Sequence, residues 1–386
     1  MNKNNAAAAG IAILSVAAAS AVSIAFYLGA HRKTPDFIYP KSPSALISTT
    51  ETGFFTEDPS KDIPTVQAAA PSESAAEETQ EALVSIIGSD NPRLRIDITL
   101  DGFDIIIEGE CESNYIRSAC LFPETQEEKA VYDGNNYRIV LKDKHTENDY
   151  ETIYIYASDG TGFGYRVRSA PDGFEPLDTS DIAENNLRLA ENPIALPTEG
   201  VLQYITPDGD PIKAREVMEQ VEEISDKICA GKTDDYDKAF AISEWIAENI
   251  YYDFDASHSS VTTETLSLSH ILEVHRTVCG GFSNLFSALC AVQGIEVRNM
   301  QGEAVSDILS SYEETDDGAL HEWNYAVING RGVWVDTTWN TYNYYQDGRY
   351  NYGGTCLKYF DVSNVVLSYN HRARICQKRD YYAALE

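Results

Sequence analysis

Residues 320–340, LHEWNYAVINGRGVWVDTTWN, constrain the fold more tightly than any other stretch of the chain. HEWNYAVI and GVWVDTTW both alternate, and Asn329-Gly330 between them is a strong two-residue hairpin signal. Such a turn fixes the register: Ile328 stands opposite Arg331, and Trp323 opposite Asp336. His321 and Asp336 then fall on one sheet face as diagonal neighbours, roughly 7–8 Å apart at backbone level and within side-chain reach. An odd-length turn would put them on opposite faces.

A histidine oriented by a carboxylate invites a search for a nucleophile. RTVCGGFSNLFSALCAVQGIEV, residues 276–297, has a cysteine where a helix should begin. Phe282, Leu285, Phe286, Leu289 and Cys290 recur at helical spacing and are expected to face the core. Cys279 then sits in the first turn, where free N–H groups and the helix dipole favour a thiolate. Gly280 and Gly281 are expected to leave room for a substrate to approach the backbone. The Cys279 amide is a candidate oxyanion donor. An imidazole is needed to pair with the thiolate and to protonate a leaving group, and His321 is the candidate.

The rest of the chain divides by composition. Residues 6–30, AAAAGIAILSVAAASAVSIAFYLGA, carry no charge over a length that could cross the roughly 30 Å of bilayer hydrocarbon. Lys3 precedes the run, and His31, Arg32 and Lys33 follow it, so charge does not decide its orientation. The run is long for a signal peptide. Residues 1–33 are therefore read as an N-terminal transmembrane anchor, with signal cleavage near Leu28-Gly29-Ala30 as the alternative. Either reading exports the remainder: a cell-membrane protein with extracellular domains, or a secreted one. Residues 34–91 are rich in Pro, Ser, Thr, Ala and Glu and read as a flexible tether, with room for a short helix near 77–87.

From residue 92 the pattern turns strand-like. RLRIDITL and FDIIIEGEC are split by Asp101-Gly102, and YRIVLKD, ETIYIYAS and GFGYRVRSA follow. Strands at this spacing predict a small antiparallel β-sandwich over 92–172. Residues 173–211 read as an irregular connector. PIKAREVMEQVEEISDKICAG and DYDKAFAISEWIAENIYYD are helical, and strands follow the Cys279 helix, so 212–386 is predicted to be an α+β domain.

The motifs TVCGGFSNLFSALCAVQGIEVR, HEWNYAVI and GVWVDTTWN, with AFAISEWIAENIYYD upstream and KYFDVSNVVLSYNHR downstream, resemble the transglutaminase-like superfamily of papain-like thiol enzymes, in particular its bacterial membrane-anchored or secreted members. The resemblance implies a papain/transglutaminase-like α+β catalytic domain. It makes Cys279 the nucleophile, His321 the base and acid, and Asp336 the residue that orients His321. The second oxyanion donor varies in this family; Tyr252 is a candidate. Where bacterial members often have Asp-Pro-Thr-Trp, this chain has DTTW, which keeps the acid. The implied activity is attack on peptidic amides through an acyl-enzyme, either as a peptidase or amidase or as a cross-linking acyltransferase. The competing reading is a non-catalytic adhesion or scaffold module on the same fold.

The formal net charge of −32 argues against nucleic acid. The expected partners are protein or peptide substrates near the cell surface or wall, and the tyrosines of TYNYY and RYNYGG are a candidate stacking surface. His31, His145, His258, His270, His275 and His371 lack a setting like that of His321, and His371 is expected to be structural. No zinc-type ligand spacing occurs and no cofactor is indicated; calcium stays open among so many carboxylates. Outside the cytoplasm, Cys111–Cys120 and Cys356–Cys376 are candidate disulfides.

Overall fold

The computed structural model describes residues 84–112, 114–122, 126–305, 311–312 and 318–386. The anchor expected over 1–33 and the tether up to residue 83 lie outside these residues. No helix among the described residues is long and apolar enough to cross a membrane.

The fold is mixed α and β, with helices packed on a largely antiparallel sheet. Pro211–Cys229 begins with Asp210 accepting hydrogen bonds from the N–H groups of Ile212 and Lys213, and buries Ala214, Val217, Met218, Val221 and Ser225 at helical spacing. Asp235–Asn249 is capped in the same way by Asp234. Both pack against Cys279–Val292, whose residues are all buried from Gly280 to Cys290. A helix apolar on nearly every side belongs in the middle of a domain.

The hairpin forms as its sequence dictates. Ala319–Ile328 pairs with Arg331–Val335 in the register Ile328↔Arg331 and Asn324↔Val335. Asn329 and Gly330 both take positive φ, 53° and 78°, which a two-residue turn between twisted strands requires. Alternation along the hairpin serves two cores. Ala326, Ile328, Val333 and Val335 pack with the helices, while Trp323, Tyr325 and Trp334 pack with a second cluster on the opposite face.

That second cluster corrects the expected domain plan. The strands between residues 84 and 176 form two antiparallel sheets that share an apolar core. The first of these is not separate from the catalytic part. Val84–Asn91, read from sequence as the end of the tether, is a strand that pairs with Leu94–Asp101 on one side and with Phe360–Val362 on the other, at Ser89↔Val362. One sheet therefore runs from His371–Lys378 through Glu296–Ala304, the hairpin and Phe360–Val362 into Val84–Asn91, Leu94–Asp101 and Asp104–Glu110. The predicted connector is also ordered. Ser180–Glu191 is a helix lying on His371–Lys378, where buried Asn186 donates to the His371 carbonyl and accepts from the Ala373 N–H.

No disulfide joins the described cysteines, so neither expected pair forms. Cys111 Sγ lies 3.4 Å from the Tyr132 hydroxyl and Cys120 Sγ 3.8 Å from that of Tyr156, in different sheets. Cys356 Sγ meets the Trp339 carbonyl at 3.6 Å, while Cys376 is buried on a strand opposite Met300.

Candidate active site

The nucleophile candidate follows a two-residue strand, Arg276–Thr277, and an extended Val278 (φ −104°, ψ 179°). Cys279 is the first helical residue, and it alone of the seven cysteines is not buried. The glycines after it do not leave space for a substrate, contrary to expectation; their room is taken by the chain itself. A Cβ on Gly281 would stand 1.9 Å from Thr277 Oγ1, which donates to the Thr265 carbonyl at 2.6 Å. A Cβ on Gly280 would lie 3.1 Å from Leu266 Cδ2 and 3.4 Å from Glu322 Oε2.

The Cys279 helix is pinned to the histidine strand one turn further on. The Ser283 hydroxyl donates to the Trp323 carbonyl at 3.2 Å and accepts from Asn299 Nδ2 at 2.7 Å and Asn324 Nδ2 at 3.0 Å. Beneath the helix start, the Arg379 guanidinium donates to Glu322 Oε1 at 2.7 Å and to Asn284 Oδ1 at 3.3 Å, and covers the Tyr204 ring at 3.7 Å. Gln301 Nε2 serves the second Glu322 oxygen at 3.0 Å. A buried charge pair with these extra hydrogen bonds fixes the strand immediately beside His321.

His321 Nε2 stands 2.7 Å from Asp336 Oδ2, and their side chains are 8% and 0% exposed. Asp336 Oδ1 accepts from the backbone N–H groups of Thr338 at 2.9 Å and Trp339 at 3.1 Å, so the DTTW turn itself orients the carboxylate. Trp323 stacks with the His321 ring at 6.0 Å and 19°, and Trp339 approaches it at 5.4 Å. Burial disfavours the His321 imidazolium. The Asp336 charge, the hydrogen bond to Asp336 and a hydrogen bond with Cys279 outweigh it and raise His321 to about 10. Burial pushes the Asp336 carboxyl up, but the charge and hydrogen bonds of His321 and His371 hold it below the usual carboxylate range.

The structure thus brings Cys279, His321 and Asp336 together. Tyr252 joins them from the strand Tyr251–Asp253, which pairs with Arg276–Thr277 at Tyr252↔Thr277. Burial, then the adjacent Cys279, push its phenol up, so it keeps its proton and can donate. Trp334 stays away from the site, edge-on to Tyr325 at 4.7 Å. His275 caps the helix Leu268–Val274 in the left-handed conformation, a structural position. The tyrosine hairpin joins the same small sheet as Tyr252, with Tyr342, Tyr350 and Tyr352 exposed.

Sequence reasoning missed His371. Its Nε2 lies 3.1 Å from Asp336 Oδ2, the oxygen that His321 also uses. The ligating atoms of His321, Asp336 and His371 lie within 4.8 Å of one another, and both imidazoles reach the same Asp336 oxygen.

The sequence profile of the transglutaminase-like superfamily matches residues 222–338, a span that holds Cys279, His321 and Asp336. Residues 222–338 form a transglutaminase-like domain. Similarity to kyphoscoliosis peptidase agrees: the mouse (Mus musculus) protein is 27% identical over 107 residues, 28% of this chain and 16% of its own length. The human (Homo sapiens) protein is 27% identical over 118 residues, 31% of this chain and 18% of its own. The chain therefore spans under a fifth of the length of these relatives. A solved structure of a candidate cysteine protease from Cytophaga hutchinsonii is 14% identical and covers 78% of this chain and 93% of its own, at a TM-score of 0.28, below the level of a shared overall arrangement. His371 and Arg379 lie beyond the transglutaminase-like segment, yet both reach back into its site.

Proposed function

We propose that the chain is an exported thiol enzyme that attacks peptidic amides through Cys279, His321 and Asp336. The observation that carries this reading is His321, held 2.7 Å from a fully buried carboxylate and near enough to Cys279 for the thiol to help raise its basicity. A thiolate at Cys279 adds to the carbonyl carbon of the substrate. Its oxyanion is received by the Cys279 N–H and the Tyr252 hydroxyl. His321 gives its proton to the amide nitrogen, the C–N bond breaks, and the amine leaves a thioester on Cys279. Water, deprotonated by His321, then releases the acid; an amine in place of water would give transfer. Hydrolysis is the favoured outcome.

The uncharged run over 6–30 supports a membrane anchor with the described residues on the extracellular side. The paired sheets between 84 and 176 support a β-sandwich module fused to the enzyme. Protein or peptide substrates close to the membrane or wall fit that reach.

The test uses the chain beside its Cys279→Ala variant, with a glutamine-rich protein and a primary amine, followed by mass spectrometry. New peptide termini that vanish in the variant are expected. Amine incorporation that vanishes in the variant would assign transfer instead. Neither, with an unreactive Cys279 thiol, would leave the scaffold reading in its place.

A further inference from the structure

Asp336 holds two imidazoles on one oxygen. His371 is fully buried, on the strand His371–Lys378, and its ring is enclosed by Trp339 at 4.5 Å, Trp323 at 5.0 Å, His321 at 5.5 Å and Tyr359 at 5.7 Å. The Asn370 side-chain amide oxygen lies 2.7 Å from Nδ1. With that amide turned so that its Nδ2 donates to Nδ1 and its oxygen accepts from the Tyr359 hydroxyl, the single ring proton is left on Nε2, 3.1 Å from Asp336 Oδ2. The titratable groups facing this ring are Asp336, His321 and Tyr359. We propose that His371 is a positioning residue that donates its Nε2 proton to Asp336, completing the four hydrogen bonds of that carboxylate and limiting how tightly it grips His321. This rests on the reading of Cys279, His321 and Asp336 as a triad.

The physical reason lies in the sharing. Thr338 and Trp339 N–H groups satisfy Oδ1, while His321 and His371 divide Oδ2. Burial, together with the His321 charge, keeps His371 below the usual imidazole range, so it is neutral and carries one ring proton. A neutral donor spreads the Asp336 charge without cancelling it. Without His371, Oδ2 would be held by His321 alone. The carboxylate would attract the imidazolium more strongly, and His321 would surrender its proton to a leaving amine less readily. A histidine that merely filled a core would have no such effect on His321.

The experiment follows Cys279 alkylation by iodoacetamide across pH in the full chain, with modification sites assigned by mass spectrometry. The alkaline step of this profile reports the loss of the His321 proton. In His371→Phe, which keeps the bulk and removes the donor, the step should move up by about one pH unit. Turnover, where it can be read, should fall about ten- to a hundredfold. His371→Gln, which restores an N–H donor, should leave the step near its wild-type position. A folded His371→Phe with an unchanged profile, or a folded His371→Gln shifted as far as a donor-free variant should be, would overturn the proposal. Should His371→Phe not fold, nitrogen-15 NMR of the wild-type histidines decides: the Nε2–H tautomer at His371 is expected, and the Nδ1–H tautomer excludes donation to Asp336. If Cys279 in the wild type shows no reactive plateau at mildly acidic pH, the triad reading itself fails, an outcome distinct from these.

Discussion

Asp336→Asn should lower turnover by about 10³- to 10⁴-fold while leaving the fold intact. The carboxylate has only donors around it: two backbone N–H groups on Oδ1 and two imidazoles on Oδ2. An amide of the same shape must present its NH₂ to one of those pairs, so either the DTTW turn or His321 loses its acceptor. His321 would then favour the tautomer that cannot take a proton from Cys279. The same substitution should reveal its partner through pH. Asp336 titrates below its ordinary value of 3.8 when folded, so its contribution to stability is present above about pH 4 and is lost as pH falls. His321 is raised from 6.5 to about 10, so its contribution is complete below about pH 6.5 and is lost as pH climbs towards 10. Urea unfolding should therefore show the largest gap between wild type and Asp336→Asn at about pH 4–6.5, narrowing on both sides. A gap that ignores pH would mean that the pair carries no such linkage.

The second large effect concerns stability. Arg379→Met should cost about 3–5 kcal/mol, because it strands the Glu322 carboxylate in a buried site. Glu322 and Arg379 side chains are 8% and 0% exposed, and Gly280, next to the nucleophile, packs against Glu322. A second change, Glu322→Gln in the Arg379→Met background, should recover most of the loss by removing the stranded charge. Denaturant unfolding of the two single variants and the double variant makes a complete cycle. If Arg379→Met alone costs under 1 kcal/mol, solvent reaches Glu322 and the pair does not hold the helix start.

The parts of the site that sequence made legible are those fixed by local counting. Asn329-Gly330 sets a register, the register places His321 and Asp336 on one face, and an apolar helix beginning at Cys279 places the thiol at its N-terminus. What escaped comes from afar. His371 and Arg379 lie 35 and 57 residues from the side chains that they meet, Asp336 and Glu322, and no periodicity connects them. Ser283, Asn284 and Ser287 left a trace, being polar positions within an otherwise apolar helix; all three are buried, and the first two prove to be anchors. The strand Val84–Asn91 was hidden for another reason: Gly88-Ser89 interrupts its alternation, and it is held by partners on both edges. Gly280 and Gly281 misled because a missing side chain shows that space is needed, but not whose atoms fill it.

The most direct measurement is competitive alkylation of the seven cysteines at pH 6, read site by site. Six are buried, and burial pushes the thiols of Cys229, Cys290, Cys356 and Cys376 up, the last to about 12. Cys279 alone combines access with a neighbouring imidazole, so it should be alkylated far faster than the others and should lose that advantage in His321→Ala. Uniformly slow alkylation, or a fast Cys279 indifferent to His321, would contradict a catalytic thiol at this site.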